Sequence, residues 1–316
     1  MRNWKKIFFV FLFCFAFPIF SEPSVDYQNK IIREADIRVL AKDRYWRLLG
    51  HYKKKSFGRI ESEIDSPDFF LAKNGKTNPE VELAETIKRF FDPITDPSEK
   101  KMHPQCEYPA RYKWLKSKLK FDGKYLIEQK CGRFEQWMKS LNPNGIRLVF
   151  SSFYMNNPAS IFGHSLLKIN TKREDTQDIL DYGVNFAALT TGNENPALYA
   201  FLGLIGGYKG VYSILPYYIK VNEYNDHESR DLWEYELNFN DEEVNRLMLH
   251  LWEMGKSFNW YYFFDENCSY QLLGMLEIAR PSLQLTNQFP IWVMPAETIR
   301  LVASQENLVA KRIYRP

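Results

Sequence analysis

The chain has 316 residues, 45% hydrophobic and 16% aromatic, with 42 basic against 39 acidic side chains. That length suffices for one large domain or two small ones, and the near balance of charge excludes the strongly basic face that nucleic-acid binding uses. Ordinary glycine and proline content, with no repeat and no low-complexity tract, excludes a disordered or solenoid chain.

Residues 1–21 open with the basic MRNWKK and continue as the apolar IFFVFLFCFAFPIF. This pattern predicts a secretory signal peptide, with the mature chain beginning near Glu22 in the periplasm or outside the cell. The alternative is an uncleaved anchor, because the run is close to the lower limit of a membrane span. Phe13 before Cys14 argues against a lipoprotein signal. Once Cys14 leaves with the signal, Cys106, Cys131 and Cys268 remain in an oxidising compartment.

Residues 22–144 read as a helical accessory region. Ile37, Leu40, Ala41, Tyr45, Leu48 and Leu49 form a helical stripe between Ala35 and Tyr52, Ser56 to Thr77 is irregular, and Asn78-Pro79-Glu80 opens a helix that runs to Phe91 before Pro93. Cys106 and Cys131 bracket two helix-like segments, Pro109 to Lys120 and Cys131 to Leu141, so a bond between them staples a helical hairpin, worth about 3 kcal/mol. Cys268 is then the odd thiol, which marks a reactive or intermolecular-pairing group against the plainer reading of a small buried hydrophobe.

Asn142-Pro143-Asn144-Gly145 is a turn signal and the expected boundary of a second unit, residues 145–316. Arg147 to Tyr154 has strand composition and Asn156-Asn157-Pro158 breaks it. In His164 to Asn170 the residues Ser165, Leu167 and Ile169 alternate with His164, Leu166 and Lys168, which predicts a strand with the histidine at its entry. A charged turn leads to a second strand, Ile179 to Ala187. Pairing the two about that turn sets Lys168 opposite Asp181, Leu166 opposite Gly183 and His164 opposite Asn185, so that Asn185 accepts from the imidazole and fixes its tautomer. Asp181 is the runner-up orienter, its plainer duty being the pair with Lys168.

Ala197 to Ile219 carries one charge, Lys209, with four glycines and five tyrosines, and reads as a glycine-bent loop or hairpin that either fills the core or forms a lid touching an acyl chain or membrane surface. Arg230 to Asn238 reads as a strand, and Asn240-Asp241-Glu242-Glu243 caps a helix through Leu247, Leu251 and Met254. Next comes WYYFFDENCSYQLL, where Leu272, Leu273, Met275, Leu276 and Ile278 recur at helical spacing behind the cap candidates Asp265 and Asn267. Cys268 therefore falls in the first helical turn, where the dipole and unpaired N–H groups lower a thiol pKa and are able to hold an oxyanion. A short helix, Ala296 to Ala303, is expected within a tail that wraps the core. No GxSxG, HExxH or Walker motif occurs, and His103 near Cys106 lacks the second cysteine pair of a zinc site, so neither metal nor cofactor is expected.

At FGHSLLKI, DYGVNFAA and ENCSYQLL together, and also at CEYPARYKWL, GLIGGYKGVYS, RDLWEYEL and YYFFDENCSY, the chain resembles the family typified by the N-terminal periplasmic domain of Lnb, the lipoprotein N-acyltransferase. The resemblance covers about residues 30 to 305. It implies an α+β, permuted papain-like fold similar to the NlpC/P60 and LRAT-type thiol enzymes, with His164, Cys268 and Asn185 matching the family's residues. The membrane-embedded portion of that acyltransferase has no counterpart expected here.

The expected function is a periplasmic thiol acyltransferase or acyl hydrolase with catalytic Cys268, His164 and Asn185, and with Asn267, Ser160 and Ser269 as oxyanion or supporting residues. A phospholipid or lipoprotein substrate and a peripheral membrane contact go with it. Two alternatives stay open: a cell-wall cysteine peptidase or amidase, and a non-catalytic envelope binding module.

Overall fold

The computed structural model describes residues 22–93, 101–152, 163–172, 181–190, 195–222 and 231–315, and the expected signal peptide lies outside them. The first half is mostly helical. Here α1 (Glu22–Glu34), α2 (Ile37–Leu40) and α3 (Arg44–Leu49) precede a small hairpin of β1 (Tyr52–Lys54) and β2 (Ile60–Ser62). The stripe expected as one helix is thus two, because the Asp43 side chain accepts the Tyr45 N–H and restarts the helix there. Asn78 caps α4 (Pro79–Arg89) by accepting from the N–H groups of Glu80 and Val81. There follow α5 (Pro104–Glu107), α6 (Pro109–Leu119) and α7 (Gly132–Leu141), and the Cys106–Cys131 disulfide, with a Cα separation of 5.2 Å, ties α5 to the start of α7.

The second half carries a seven-stranded antiparallel sheet, so the chain is α+β. Its members are β3 (Pro143–Ser151), β4 (His164–Thr171), β5 (Tyr182–Ala188), β6 (Tyr208–Pro216), β7 (Leu232–Leu237), β8 (Asn259–Tyr261) and β9 (Val309–Arg315), in the order β8-β6-β5-β4-β3-β7-β9. Between them run α8 (Pro196–Ile205), α9 (Tyr217–Asn222), α10 (Asp241–Met254), α11 (Cys268–Ala279) and α12 (Pro295–Ser304). The Asn240 side of the expected capping box is present in full at the start of α10. Where a turn is expected at Asn142, that residue instead ends α7 in the left-handed conformation, and Pro143 enters the sheet directly with a register irregularity before Gly145.

Ala197 to Ile219 departs from the loop or hairpin that its glycines suggest. Asn195 caps α8, Gly206 ends it at φ +75°, and β6 follows as an inner strand between β5 and β8. Two helix-stop glycines in a row are compatible with a regular helix and a regular strand that meet at them. The tail also adds an element that composition concealed: β9, whose burial is intermediate to exposed, pairs with β7 at the sheet edge.

Alternate residues of the sheet separate two environments. Leu167 and Ile169 of β4, Val184 and Phe186 of β5 and Tyr212 of β6 enter a hydrophobic cluster with α10 and α11, and that cluster continues through Trp46, Leu83 and Leu115 of the helical half. On the other face Lys168 and Glu234, both fully buried, lie 3.5 Å apart, and Glu234 also accepts from Arg147, Arg315 and the Tyr217 hydroxyl. This closed network satisfies the charges it buries and pins β4, β3, β7 and β9 in register.

Register gives one correction. Leu167 pairs with Val184, Lys168 with Gly183 and Ile169 with Tyr182, a slip of two residues from the expected alignment. A slip of two preserves the face of every side chain. Hence Lys168 still meets Asp181 at 3.5 Å, though diagonally, while Asp181 also accepts from the N–H and hydroxyl of Thr171.

Candidate active site

Gly163 sets the entry to β4. Its φ is +88°, and an added Cβ would lie 2.6 Å from the Phe150 ring and 2.8 Å from the Ser151 carbonyl, so a side chain fits there neither conformationally nor sterically. His164 follows as the first strand residue. The described pairs of β4 with β5 end at Leu167 and Val184, whereas those of β4 with β3 run on to Ser151 and His164. Across that unpaired end, His164 Nε2 lies 2.7 Å from Asn185 Oδ1. An amide oxygen as acceptor makes Nε2 the protonated nitrogen and leaves Nδ1 for another partner.

That partner is Cys268, which the hydrophobic spacing of α11 and the cap before it bring to the sheet. Asn267 accepts the N–H groups of Ser269 at 3.1 Å and Tyr270 at 3.2 Å, and its amide donates to the carbonyls of Phe263 and Val293. The helix therefore starts at Cys268, and its body packs on β4 and β5. Ser269 Oγ lies 3.1 Å from Ser165 Oγ, with both residues buried, and this bond rivets the first turn of α11 to β4 beside the thiol.

The electrostatics follow from these contacts. Burial pushes the Cys268 thiol up, but the charge and hydrogen bond of His164, the Ser165 backbone N–H and the Tyr261 hydroxyl outweigh it and bring the thiol to about 7. A substantial thiolate fraction therefore exists near neutral pH, although the residue is only 2% exposed.

Tyr261 is the residue that sequence reasoning missed as a member of the site. It comes from β8, stacks on Phe186 with ring centroids 5.7 Å apart, and its hydroxyl accepts the Cys268 N–H at 3.3 Å while also reaching the sulfur. Burial, with the Cys268 charge adding, holds the phenol well above its usual range, so it stays a neutral O–H donor. The only sequence signal was its place seven residues before the cysteine, which means nothing until β8 is set against β6.

The other expected members take different positions. Asn267 spends both ends of its amide on the cap, so it fixes the helix start, and the polar groups that remain beside the sulfur are the Tyr261 hydroxyl and the Cys268 N–H that donates to it. Ser269 is a structural rivet 3.9 Å from the sulfur. Asp181 belongs to the Lys168 pair at the turn end of the hairpin. Ser160 lies outside the described residues. His103 caps α5 through the Gln105 N–H, and among the described residues no three His, Cys, Asp or Glu side chains are grouped to hold a metal.

The turn that feeds Cys268 is flanked by apolar surface from two directions. The Phe263 N–H donates to Gly203 of α8 at 2.9 Å, and the Val293 N–H donates to Phe264 at 2.8 Å. An added Cβ on Gly203 would lie 2.2 Å from the Phe263 ring, so only glycine lets α8 approach this closely. Leu198, Phe201, Leu204 and Ile205 on α8, and Ile291 and Trp292 before Val293, are each about half exposed or more. Among the described residues no helix is long and apolar enough to cross a membrane.

Comparison with known families gives two matches. A family model described as the Lnb N-terminal periplasmic domain matches residues 133–305, more than half of the chain, and one described as a domain of unknown function, DUF7843, matches residues 38–118. No curated protein and no solved structure matches the chain.

Proposed function

We propose a thiol acyl-transfer function for this chain, which belongs to the Lnb N-terminal periplasmic domain family. Membership supports a periplasmic, envelope-related role and agrees with a disulfide at Cys106 and Cys131. The observation that carries the chemical reading is the single imidazole of His164 held between Asn185, at 2.7 Å, and the sulfur of Cys268. A cysteine at a helix start, set against an antiparallel sheet whose neighbouring strands carry histidine and asparagine, is the arrangement a permuted papain-like thiol enzyme would use.

In the proposed reaction His164 Nδ1 takes the thiol proton and the Cys268 thiolate attacks an ester carbonyl. The oxyanion is held by the Tyr261 hydroxyl, which itself accepts the Cys268 N–H. Collapse breaks the ester C–O bond, His164 returns its proton to the departing alcohol, and a thioester remains on Cys268. An amine or water then attacks the thioester, gives a proton to His164, and expels the thiolate, which restores the starting state. The apolar surfaces of α8 and of Ile291 and Trp292 beside the turn before Cys268 favour a lipid-linked acyl donor, such as a phospholipid, with a lipoprotein N-terminus as acceptor and peripheral contact with the membrane.

Intact-mass measurement after incubation with phospholipid vesicles tests this reading. A mass increase of one fatty acid minus water, lost on hydroxylamine treatment and absent from Cys268→Ser, is the expected result. An unmodified wild-type chain that instead cleaves cell-wall peptide would replace it with the peptidase reading.

A further inference from the structure

A second buried chain of imidazoles lies outside the thiol site. His51, in the turn between α3 and β1, sits at φ +49°, a left-handed backbone unusual for a residue other than glycine. Its ring stacks on His250 of α10 with centroids 5.2 Å apart, and the two Nε2 atoms are 3.0 Å apart. His250 Nδ1 lies 3.0 Å from Glu253 Oε2, whose partner oxygen accepts the N–H groups of Ala110 and Arg111. A carboxylate acceptor makes His250 Nδ1 the protonated nitrogen, so its Nε2 is a lone pair and His51 donates to it from Nε2. His51 Nδ1 is then an unprotonated acceptor, and it has no hydrogen-bond partner among the described residues. Burial, with the charges of Lys53 and Arg111 acting in the same direction, holds His51 well below the usual imidazole range and keeps the ring uncharged.

This lone pair belongs to a residue lining a cleft of about 320 Å³ between the 42–54 segment and α11. Gln271 of α11 lines the same cleft, is 2% exposed, and its Nε2 is buried without a partner. Lys42, Arg47, Lys53 and Lys54 supply positive charge, and none of them forms an ion pair among the described residues. The two carboxylates of the cleft are already engaged, Glu63 by the Tyr270 hydroxyl and Glu277 by the N–H groups of Leu285 and Thr286. The cleft therefore combines the Gln271 amide, whose Nε2 no protein group satisfies, excess cationic charge and the unpartnered Nδ1 of His51. A ligand that satisfies all three carries anionic oxygens and an O–H.

We propose that this cleft is a second ligand site, for a phosphate group that carries a proton or an adjacent hydroxyl. Its oxygens accept from Gln271 and from Lys42, Lys53 and Lys54, and its O–H donates to His51 Nδ1. The volume suits a phosphate with a small polyol attached. The walls come from the segment matched by the DUF7843 model and from the segment matched by the Lnb model, so neither alone makes the site. None of its groups takes part in the thiol chemistry, and the two readings stand or fall separately.

The test is calorimetric titration of the full chain near pH 7 with inorganic phosphate, sn-glycerol 3-phosphate and sulfate. Sulfate matches the charge and shape but has no proton to give, so phosphate and glycerol phosphate are expected to bind at least about 10-fold tighter. Gln271→Leu and Lys53→Met each weaken phosphate by about 10-fold, and Cys268→Ser changes nothing. His51→Asn keeps a side chain that tolerates the left-handed backbone, and with its fold checked by circular dichroism it brings the phosphate-to-sulfate ratio to about one. Vesicles of phosphatidylglycerol, competed by glycerol phosphate, separate the sources: competition assigns the site to a lipid headgroup, and binding of the free compounds alone assigns it to a soluble phosphate, each in support of the cleft. Equal binding of sulfate and phosphate, no saturable binding, or wild-type affinity in Gln271→Leu would overturn the proposal.

Discussion

Two imidazole constellations flank α11, one half-buried and one buried, and they differ in what orients the ring and in what the ring faces. His164 is oriented by a neutral amide, Asn185, and faces a sulfur. His51 is oriented through His250 by a carboxylate, Glu253, and faces a cleft lined by lysines. A neutral orienter lets an imidazolium persist beside a thiolate without a competing anion, which suits proton exchange with Cys268. Burial first, and the cationic surroundings after it, do the opposite to His51 and leave it uncharged, which suits recognition. The same side chain in the same protein thus takes different electrostatic roles according to its burial and the groups around it.

The comparison breaks most visibly at the sulfur. Cys268→Ser is predicted to lower acyl transfer by about 10³-fold or more while the thermal midpoint stays within a few degrees, as read by single-turnover thioester formation and a melting curve. His164→Ala should cost a similar factor and has a sharper signature: the pH midpoint of Cys268 alkylation, expected at about 7 in the wild type, should rise, because burial is then opposed only by the Ser165 N–H and the Tyr261 hydroxyl. An unchanged midpoint in that variant would separate the histidine from the thiol.

Glu253→Gln addresses the other constellation. It removes the charge that orders His250 and accepts two backbone N–H groups, and is predicted to destabilise the fold by about 2–4 kcal/mol in denaturant unfolding. The Cys268 alkylation midpoint should not move, and a shift would show that the two sites are one network. Asn185→Ala frees the His164 ring and should lower kcat by about 10- to 100-fold, with KM nearly constant. The smallest effect concerns Glu266, whose carboxyl is pushed up to about 8 by burial and by the Glu63 charge. It is neutral when folded and ionised when unfolded near neutral pH, so it costs stability as pH rises from the ordinary carboxylate range to about 8. Glu266→Gln should therefore gain about 1–2 kcal/mol over wild type at pH 8 and little at pH 4.5, less whatever the 4.0 Å contact with Lys55 contributes.

Local chemistry made much of the site legible. The cap at Asn267 and the apolar spacing behind it locate Cys268 in a first helical turn, and alternation around His164 locates a strand entry. Asn185 was found through a register that proved two residues out, and it survived because such a slip keeps the face. Tyr261, the rivet of Ser165 with Ser269, and the full commitment of Asn267 to its cap were not legible, since each depends on which strand or loop lies alongside. Ala197 to Ile219 misled because glycine and proline content marks turns but does not say that regular elements begin on either side of them.

By itself the sequence determined the disulfide arithmetic, the unpaired thiol, the strand entry at His164 and the helix start at Cys268, because these follow from residue counts, periodicity and short-range capping. Only the tertiary structure decided that Tyr261 stands over the sulfur, that His51, His250 and Glu253 form a line, and that lysines from one family segment face a glutamine from another. Those contacts join residues up to 199 positions apart, between His51 and His250, and no local preference of the backbone encodes such a distance.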